Sequence, residues 1–295
     1  MKLVVLGAGF SGRAILKEMA TSCRSMIGTT RSHGRFADIE ATGAQPMVFP
    51  GDIVSEELRA AMAKATHLVM SIAPDPNAKT SSGDPLLETV KGDIRHYFPL
   101  LKWVGYLSTV GVYGNHDGEW VDEATPCKPV SKRSVARLKA EQAWTEACGS
   151  AGVALAILRL SGIYGPGRNA FCNLANGKAR RLVKPGQVFN RIHVADIAGA
   201  AALLAGSTTG GVFNITDNLP SPPQDVVMEA ANIMGIEVPP EIDFETADLS
   251  PMARSFYGEN KRVANARITN AGYGFRFPDY HSGLDALWRG GHWRG

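Results

Sequence analysis

The chain has 295 residues, 44% hydrophobic and 20% charged, with a formal net charge of +3; this is the make-up of a globular protein with a sizeable core and excludes disordered and fibrous classes. Its basic doublets, Lys132-Arg133, Arg180-Arg181 and Lys261-Arg262, are scattered along the chain, too little for a nucleic-acid footprint. No apolar run has the length of a membrane span, the N-terminal apolar run is too short and glycine-interrupted for a signal peptide, and the widely spaced Cys23, Cys127, Cys148 and Cys172 suit neither a metal site nor a disulfide framework, so reduced thiols and a cytoplasmic setting are expected.

Lys2-Leu3-Val4-Val5-Leu6 predicts a short buried strand, and Gly7-Ala8-Gly9-Phe10-Ser11-Gly12 follows with the spacing G-x-G-x-x-G before Arg13-Ala14-Ile15-Leu16 opens a helix. In this strand–turn–helix context the pattern points to a dinucleotide site. Gly7 allows a tight turn, Gly9 lets the backbone approach a pyrophosphate, and Gly12 lets helix and strand pack closely. The free N–H groups of the helix start, including those near Phe10 and Ser11, face the phosphates. Ser25 to Arg31 predicts a second strand. A chain preferring NAD places an acid at about this distance, some twenty residues past the turn, to bind the ribose 2′-OH. Here the strand ends on Thr30, Arg31 and Ser32, with Arg35 beyond. A guanidinium matches a phosphate in shape and charge, so the expected cofactor is NADP, with NAD the less favoured choice.

Met47 to Phe49 predicts a third strand, stopped by Pro50-Gly51-Asp52, and Ser55 is placed to cap the next helix. Leu68 to Ala73 reads as a fourth strand broken by Pro74-Asp75-Pro76. Asp84-Pro85 reads as a cap and first helical position for one helix running from Leu86 to His96. Trp103 to Ser108 is a fifth strand, Ser131 to Cys148 a helix ended by Gly149, and Val153 to Leu160 a sixth strand. Val194 to Ala205 predicts an alanine-rich buried helix and Val212 to Thr216 a late strand. Ser221-Pro222-Pro223-Gln224 reads as a capping box for a helix stopping at Gly235. The tail after it shows no clear periodicity. Apolar strands alternating with helices mean an α/β protein with a parallel sheet covered on both faces. In such sheets ligands bind beyond the carboxyl ends of the strands, where Gly7–Gly12, Arg31, Asp52, Ala73 and Ser108 all fall.

Four stretches then give the chain a family likeness: Gly7–Gly12, Leu107-Ser108-Thr109-Val110-Gly111-Val112-Tyr113-Gly114, Arg159 to Arg168, and Arg191-Ile192-His193-Val194-Ala195-Asp196-Ile197-Ala198. Together, over nearly the whole length, the sequence resembles the extended short-chain dehydrogenase/reductase superfamily, the group of NAD-dependent epimerases and dehydratases. The resemblance implies a doubly wound Rossmann sheet of about seven strands with a small C-terminal substrate lobe. It places the cofactor domain at residues 1–165, which also receives 191–217, and the lobe at 166–190 and 218–295. It implies a homodimer built from the helices flanking the fifth strand. It also implies that Asp52, with Ile53 beside it, meets the adenine, that the main chain of Ser71, Ile72 and Ala73 passes the ribose, and that Leu160, Ser161 and Ile163 border the nicotinamide.

The catalytic helix departs from the family's Tyr-x-x-x-Lys pattern. Aligned on Glu141, Arg137 stands at the lysine position and Arg133 at the tyrosine position, four residues apart on one helix face. Arg137 can bond ribose hydroxyls and supply charge. Arg133 cannot donate a proton, because a guanidinium does not deprotonate in a protein. Ser108 and Thr109 are placed to hydrogen-bond a substrate oxygen, and Tyr113 is a substitute proton donor to consider. His193 reads as a core histidine. The literal Tyr257-Gly258-Glu259-Asn260-Lys261 lies in the tail and reads as chance. Two arginines suggest an anionic small-molecule substrate, without metal, nucleic acid or membrane. Two functions stay open: an atypical NADP-dependent oxidoreductase or epimerase acting on a polar or anionic carbonyl or sugar-type substrate, and a catalytically inactive NADP(H)-binding sensor or scaffold.

Overall fold

Short apolar runs alternating with helices assemble into one seven-stranded parallel sheet in the computed structural model, which describes residues 1–80, 82–250 and 254–295. In chain order the strands and helices are β1 (Lys2–Leu6), α1 (Phe10–Met19), β2 (Ser25–Thr30), α2 (Phe36–Glu40), β3 (Gln45–Val48), α3 (Glu56–Met62), β4 (His67–Met70), α4 (Pro85–Thr89), α5 (Ile94–Tyr97), β5 (Trp103–Thr109), β6 (Trp120–Val121), α6 (Lys132–Ala151), β7 (Ala154–Leu160), β8 (Gly162–Tyr164), α7 (Ala170–Ala175), β9 (Arg181–Val183), β10 (Arg191–His193), α8 (Val194–Gly206), β11 (Gly211–Ile215) and α9 (Pro223–Met234). The sheet order is β3-β2-β1-β4-β5-β7-β11. Val4 pairs with Ile27 of β2 on one side and Leu68 of β4 on the other. The order reverses between β1 and β4, and a crevice opens at such a switch point. This is the Rossmann arrangement the sequence motifs imply. The strands read as unbroken apolar runs because both faces are covered, and β4 is buried along its whole length.

The chain divides into two compact units, one of residues 1–112, 129–159 and 197–213, the other of 113–128, 160–196 and 214–295. The first encloses a core that includes Leu6, Met70, Val104, Tyr106 and Trp144. The second is built on short parallel pairs, β8 with β10, β9 with Glu241–Asp243, and β6 with Arg262–Val263. Tyr164, Phe171, Ala230, Tyr280, Leu284 and Leu287 form an apolar cluster within it. No helix among the described residues is long and apolar enough to cross a membrane.

Several boundaries differ from the sequence reading. The expected helix from Leu86 to His96 is two helices. Lys91 and Gly92 take left-handed backbone at φ 51 and 72, and Asp93 restarts the chain by capping α5 through the His96 N–H. The long helix runs through Gly149 to Ala151, because the left-handed C-terminal position is supplied by Gly152. Ser55 and Asp84 do cap α3 and α4. Ser221 does not cap α9: Pro222 occupies that place without a side-chain bond, while Ser221 bridges to Phe189 and accepts from Arg191. The aperiodic tail contains regular helices at Ala266–Asn270 and Tyr280–Arg289.

Within the first unit β5, α6 and β7 are tied by a buried ion pair. Arg159 of β7 donates to both carboxylate oxygens of Glu141 of α6, at 2.8 and 3.2 Å. Removing one partner of such a pair costs about 3–5 kcal/mol, whereas replacing both by apolar residues is often neutral. Arg159→Met is expected to lose stability of that order in urea unfolding, and Arg159→Met combined with Glu141→Leu is expected to recover most of it.

Candidate functional site

At the carboxyl end of β1 the backbone turns with no room to spare. Gly7 has φ 87, and a Cβ there would lie 2.7 Å from Ile72 Cγ1 and 3.1 Å from Ile72 N. Its N–H donates to Thr29 Oγ1 at 3.0 Å, and the Ala8 N–H donates to the Thr29 carbonyl at 2.7 Å. A Cβ on Gly12 would lie 2.7 Å from the Gly7 carbonyl oxygen and 3.2 Å from Val5 Cγ1. These contacts press α1 onto β1. Gly9 differs. It is exposed, its φ of −78 lies outside the left-handed region while its ψ of −149 falls at the margin of extended backbone, and a Cβ on it would meet nothing within 4 Å. It precedes the first turn of α1, which has no acidic residue and no side-chain cap. The protein therefore leaves a clear approach to a helix N-terminus, a place suited to an anion. Ser11 is buried in that first turn and Phe10 half-buried.

The next strand ends extend this rim. Thr30 is half-buried at the end of β2, while Arg31, Ser32 and Arg35 are exposed beyond it. Arg35 lies 3.9 Å from Asp38, which also accepts from Arg13 at 3.1 Å; Arg31 has no acidic partner among the described residues. Asp52 is exposed after β3, and Ile53 beside it is 65% exposed. After β4, Ser71 donates its N–H to the Leu6 carbonyl at 2.9 Å, Ile72 covers Gly7, and Ala73 is exposed.

At the end of β5 the structure separates residues that the sequence grouped. Ser108 is buried and its hydroxyl, expected to meet a substrate oxygen, donates here to Glu141 Oε1: the Glu141–Arg159 pair draws the hydroxyl inward. Thr109 is half-buried, and its Oγ1 accepts from the Gly111 N–H at 3.1 Å. Its own hydroxyl proton is thus directed elsewhere. Arg137 reaches β5 but bonds protein: Nη1 donates to the Leu107 carbonyl at 2.7 Å and to the Tyr106 hydroxyl at 3.3 Å. Arg133 is exposed. Beneath Arg137 lies Asp84, fully buried, accepting from the Leu86 and Leu87 N–H groups and from Trp144 Nε1 at 2.9 Å. Burial raises the Asp84 carboxyl above its ordinary range, opposed by those bonds and by the Arg137 charge. Burial likewise raises the Tyr106 phenol, which stays protonated.

The sequence model of the NAD dependent epimerase/dehydratase family matches residues 3–216. The chain belongs to that family. It is 44% identical to a functionally unknown conserved protein from Silicibacter pomeroyi DSS, whose solved structure superposes with a TM-score of 0.88 over 98% of each chain. It is 28% identical over 291 residues to Protein YeeZ of Escherichia coli (strain K12), covering 94% of this chain and 97% of that protein. Human epimerase family protein SDR39U1, solved with NADPH, shares the fold at 17% identity and a TM-score of 0.75, over 98% of this chain.

As a member of the epimerase/dehydratase family the chain is an NAD(P)-binding protein, and its second unit holds the remaining residues of the family motifs. Tyr113, considered as a substitute proton donor, is fully buried and donates to Asn214 Oδ1 at 2.7 Å. Leu160 and Ser161 are buried, the latter donating its N–H to the Ile215 carbonyl, and Ile163 pairs with Ile192 across β8 and β10. His193 packs against Phe277 and Tyr164, and burial lowers its pKa to about 4, so it is a neutral core residue. Tyr257 stacks on Phe244, and Lys261 donates to the Gly114 carbonyl and Glu259; this literal Tyr-x-x-x-Lys is a packing feature. The sequence reading missed Asp84, Trp144 and Arg159 as supports of the β5 end; Asp84-Pro85 had signalled only a cap.

Burial also lifts the Asp217 carboxyl to about 7, with Oδ2 lacking a hydrogen-bond partner among the described residues and the Arg191 charge opposing the shift. The folded state then holds this proton where the unfolded chain has released it, so the contribution of Asp217 to stability falls as pH rises from about 4 to 7. Asp217→Asn is expected to gain stability relative to wild type between pH 5 and pH 8, read as a rising difference in urea midpoint.

Proposed function

We propose that this chain binds NADP(H) at the β1–α1 turn and acts as an atypical oxidoreductase or epimerase on a polar or anionic carbonyl or sugar-type substrate. The observation that carries this reading is Gly9, a glycine that no protein contact requires, standing open before the uncapped N-terminus of α1. In this reading the main chain of Gly7, Gly9, Phe10, Ser11 and Gly12 holds the pyrophosphate. Arg31, with Thr30, Ser32 and Arg35, takes the 2′-phosphate, and Asp52 takes the adenine edge. An adenine ring also accounts for the exposed apolar side chain of Ile53. When bound, the nicotinamide supplies or accepts a hydride. The Thr109 hydroxyl donates to the substrate oxygen, its own oxygen held by Gly111 N–H. Arg137 keeps a fixed positive charge at the end of β5. With Arg133 at the usual tyrosine position, a carbonyl reduction takes its proton from solvent, slower by about 10²–10⁴ than with a positioned acid.

A second reading, an NADP(H)-responsive sensor without turnover, is favoured by the burial of the Ser108 and Tyr113 hydroxyls. It requires unequal affinity for NADP⁺ and NADPH, since a ligand pair of equal affinity shifts no equilibrium.

Dinucleotide titration followed by NADPH fluorescence tests the binding reading. Gly9→Ala, whose single Cβ meets nothing within 4 Å, is expected to fold and lose at least tenfold (~10×) in affinity, and Arg31→Ala to weaken NADP(H) more than NAD(H). Equal losses for both dinucleotides would remove Arg31 from the 2′-phosphate. Consumption of NADPH with nucleotide sugars, aldehydes or keto acids supports the enzyme. Tight binding with no consumption, and affinities that differ between the oxidised and reduced forms, moves the chain to the sensor reading.

A further inference from the structure

Within the first unit, the loop after β4 and one face of α6 flank an open cleft of about 300 Å³. The described residues of the loop wall are held by hydrogen bonds. The Asp75 N–H donates to the Gly83 carbonyl at 2.9 Å and the Ala78 N–H to the Asp75 carbonyl at 3.2 Å. Gly83, at φ 61, stands where a Cβ would lie 2.9 Å from the Asp75 oxygen. The Ser82 hydroxyl is held by Glu88, which anchors this wall to α4. The opposite wall is Lys132, Val135, Ala136 and Lys139, the spacing of a single helix face. Val135 and Ala136 make an apolar floor, faced by Pro76 and Ala78. The two lysines stand at its ends, about 10 Å apart along the axis at 1.5 Å per residue. Neither ammonium has an acidic partner among the described residues, and Asp75 is the one acid in the described lining. Helix stability does not account for Lys132. Lys132 lies with Arg133 in a first turn that has no acidic residue, where the helix dipole disfavours positive charge.

We propose that this cleft binds a small organic anion, a phosphate ester or carboxylate, with its apolar body on Val135 and Ala136 and its acid group on Lys132 or Lys139. The assignment rests on the anionic-substrate reading above and replaces Arg133 and Arg137 as the groups that meet the anion: neither lines this cleft, and Arg137 is engaged by β5. The ligand class follows from the two-part lining. Inorganic phosphate satisfies only the lysines, and a neutral aromatic satisfies only the floor.

Calorimetric titration of the full chain with phenyl phosphate, phenol and inorganic phosphate tests this, beside NADPH titration of the same proteins. Phenyl phosphate is expected to bind wild type at least tenfold (~10×) more tightly than either fragment, and Lys132→Gln/Lys139→Gln to abolish that advantage without changing NADPH affinity. Single substitutions identify which lysine takes the acid group. Absence of phenyl phosphate binding to wild type overturns the proposal, as does equal affinity in the double variant, inorganic phosphate binding as tightly, or a parallel loss of NADPH. Failure of wild type to bind or consume NADPH would instead count against the cofactor reading, leaving the phenyl phosphate result to stand on its own.

Discussion

The turn after β1 is a steric constraint before it is a binding site. The Gly7 carbonyl faces the place where Gly12 would carry a Cβ, and Ile72 fills the place where Gly7 would carry one. No side chain fits at either position without moving β4 or α1. Because β1 lies between β2 and β4, this crowding fixes how α1 meets the sheet and where its first N–H groups point. The bonds from Gly7 and Ala8 to Thr29 join the turn to β2. Gly9 alone escapes the crowding, and for that reason it speaks for a ligand where the other two glycines speak first for packing.

The end of β5 is governed by a different interaction, the buried pair of Glu141 and Arg159. Once two charges are enclosed, their remaining hydrogen-bonding capacity must be met locally. Ser108 meets part of it. Arg137 similarly answers the Leu107 carbonyl and stands near the buried Asp84. Side chains at positions associated with chemistry in the family are thus engaged by structure in this chain. At the end of β5 the half-buried Thr109 hydroxyl is held by the Gly111 N–H, and Arg137 is a fixed cation on the Leu107 carbonyl, a sparse set for acid–base catalysis. The same helix turns Lys132 and Lys139 to another face, where neither has an acidic partner among the described residues. The inward polar residues of α6 thus explain stability, and its outward ones invite a ligand.

The sheet was legible in the residues because its evidence is local. Lys2–Leu6 and Trp103–Ser108 are apolar without alternation, Ser55 and Asp84 are caps at the right distance from apolar runs, and a glycine turn between strand and helix carries its own geometry. The errors were local too, in a limited sense. Gly149 does not stop α6, because a helix tolerates an interior glycine at about 1 kcal/mol and the left-handed end position falls to Gly152. Lys91 and Gly92 broke a helix whose apolar pattern continued through them. The tail hid two helices, and the apolar residues of the Tyr280–Arg289 helix answer to the second unit's own cluster.

By itself, the sequence determined the strand succession, the glycine turn between strand and helix, and the absence of an acid at the end of β2, since each depends on residue identity at a fixed spacing. Only the tertiary structure decided which hydroxyls and charges remain available. Ser108 and Thr109 are neighbours in the chain, but alternate side chains on a strand point to opposite faces, so one meets Glu141 and the other does not. Likewise Arg137 and Lys139 lie two residues apart on one helix, yet the first is bound to β5 and the second lines a cleft. That division follows from long-range partners at Glu141, Leu107 and the loop after β4, which no local pattern encodes.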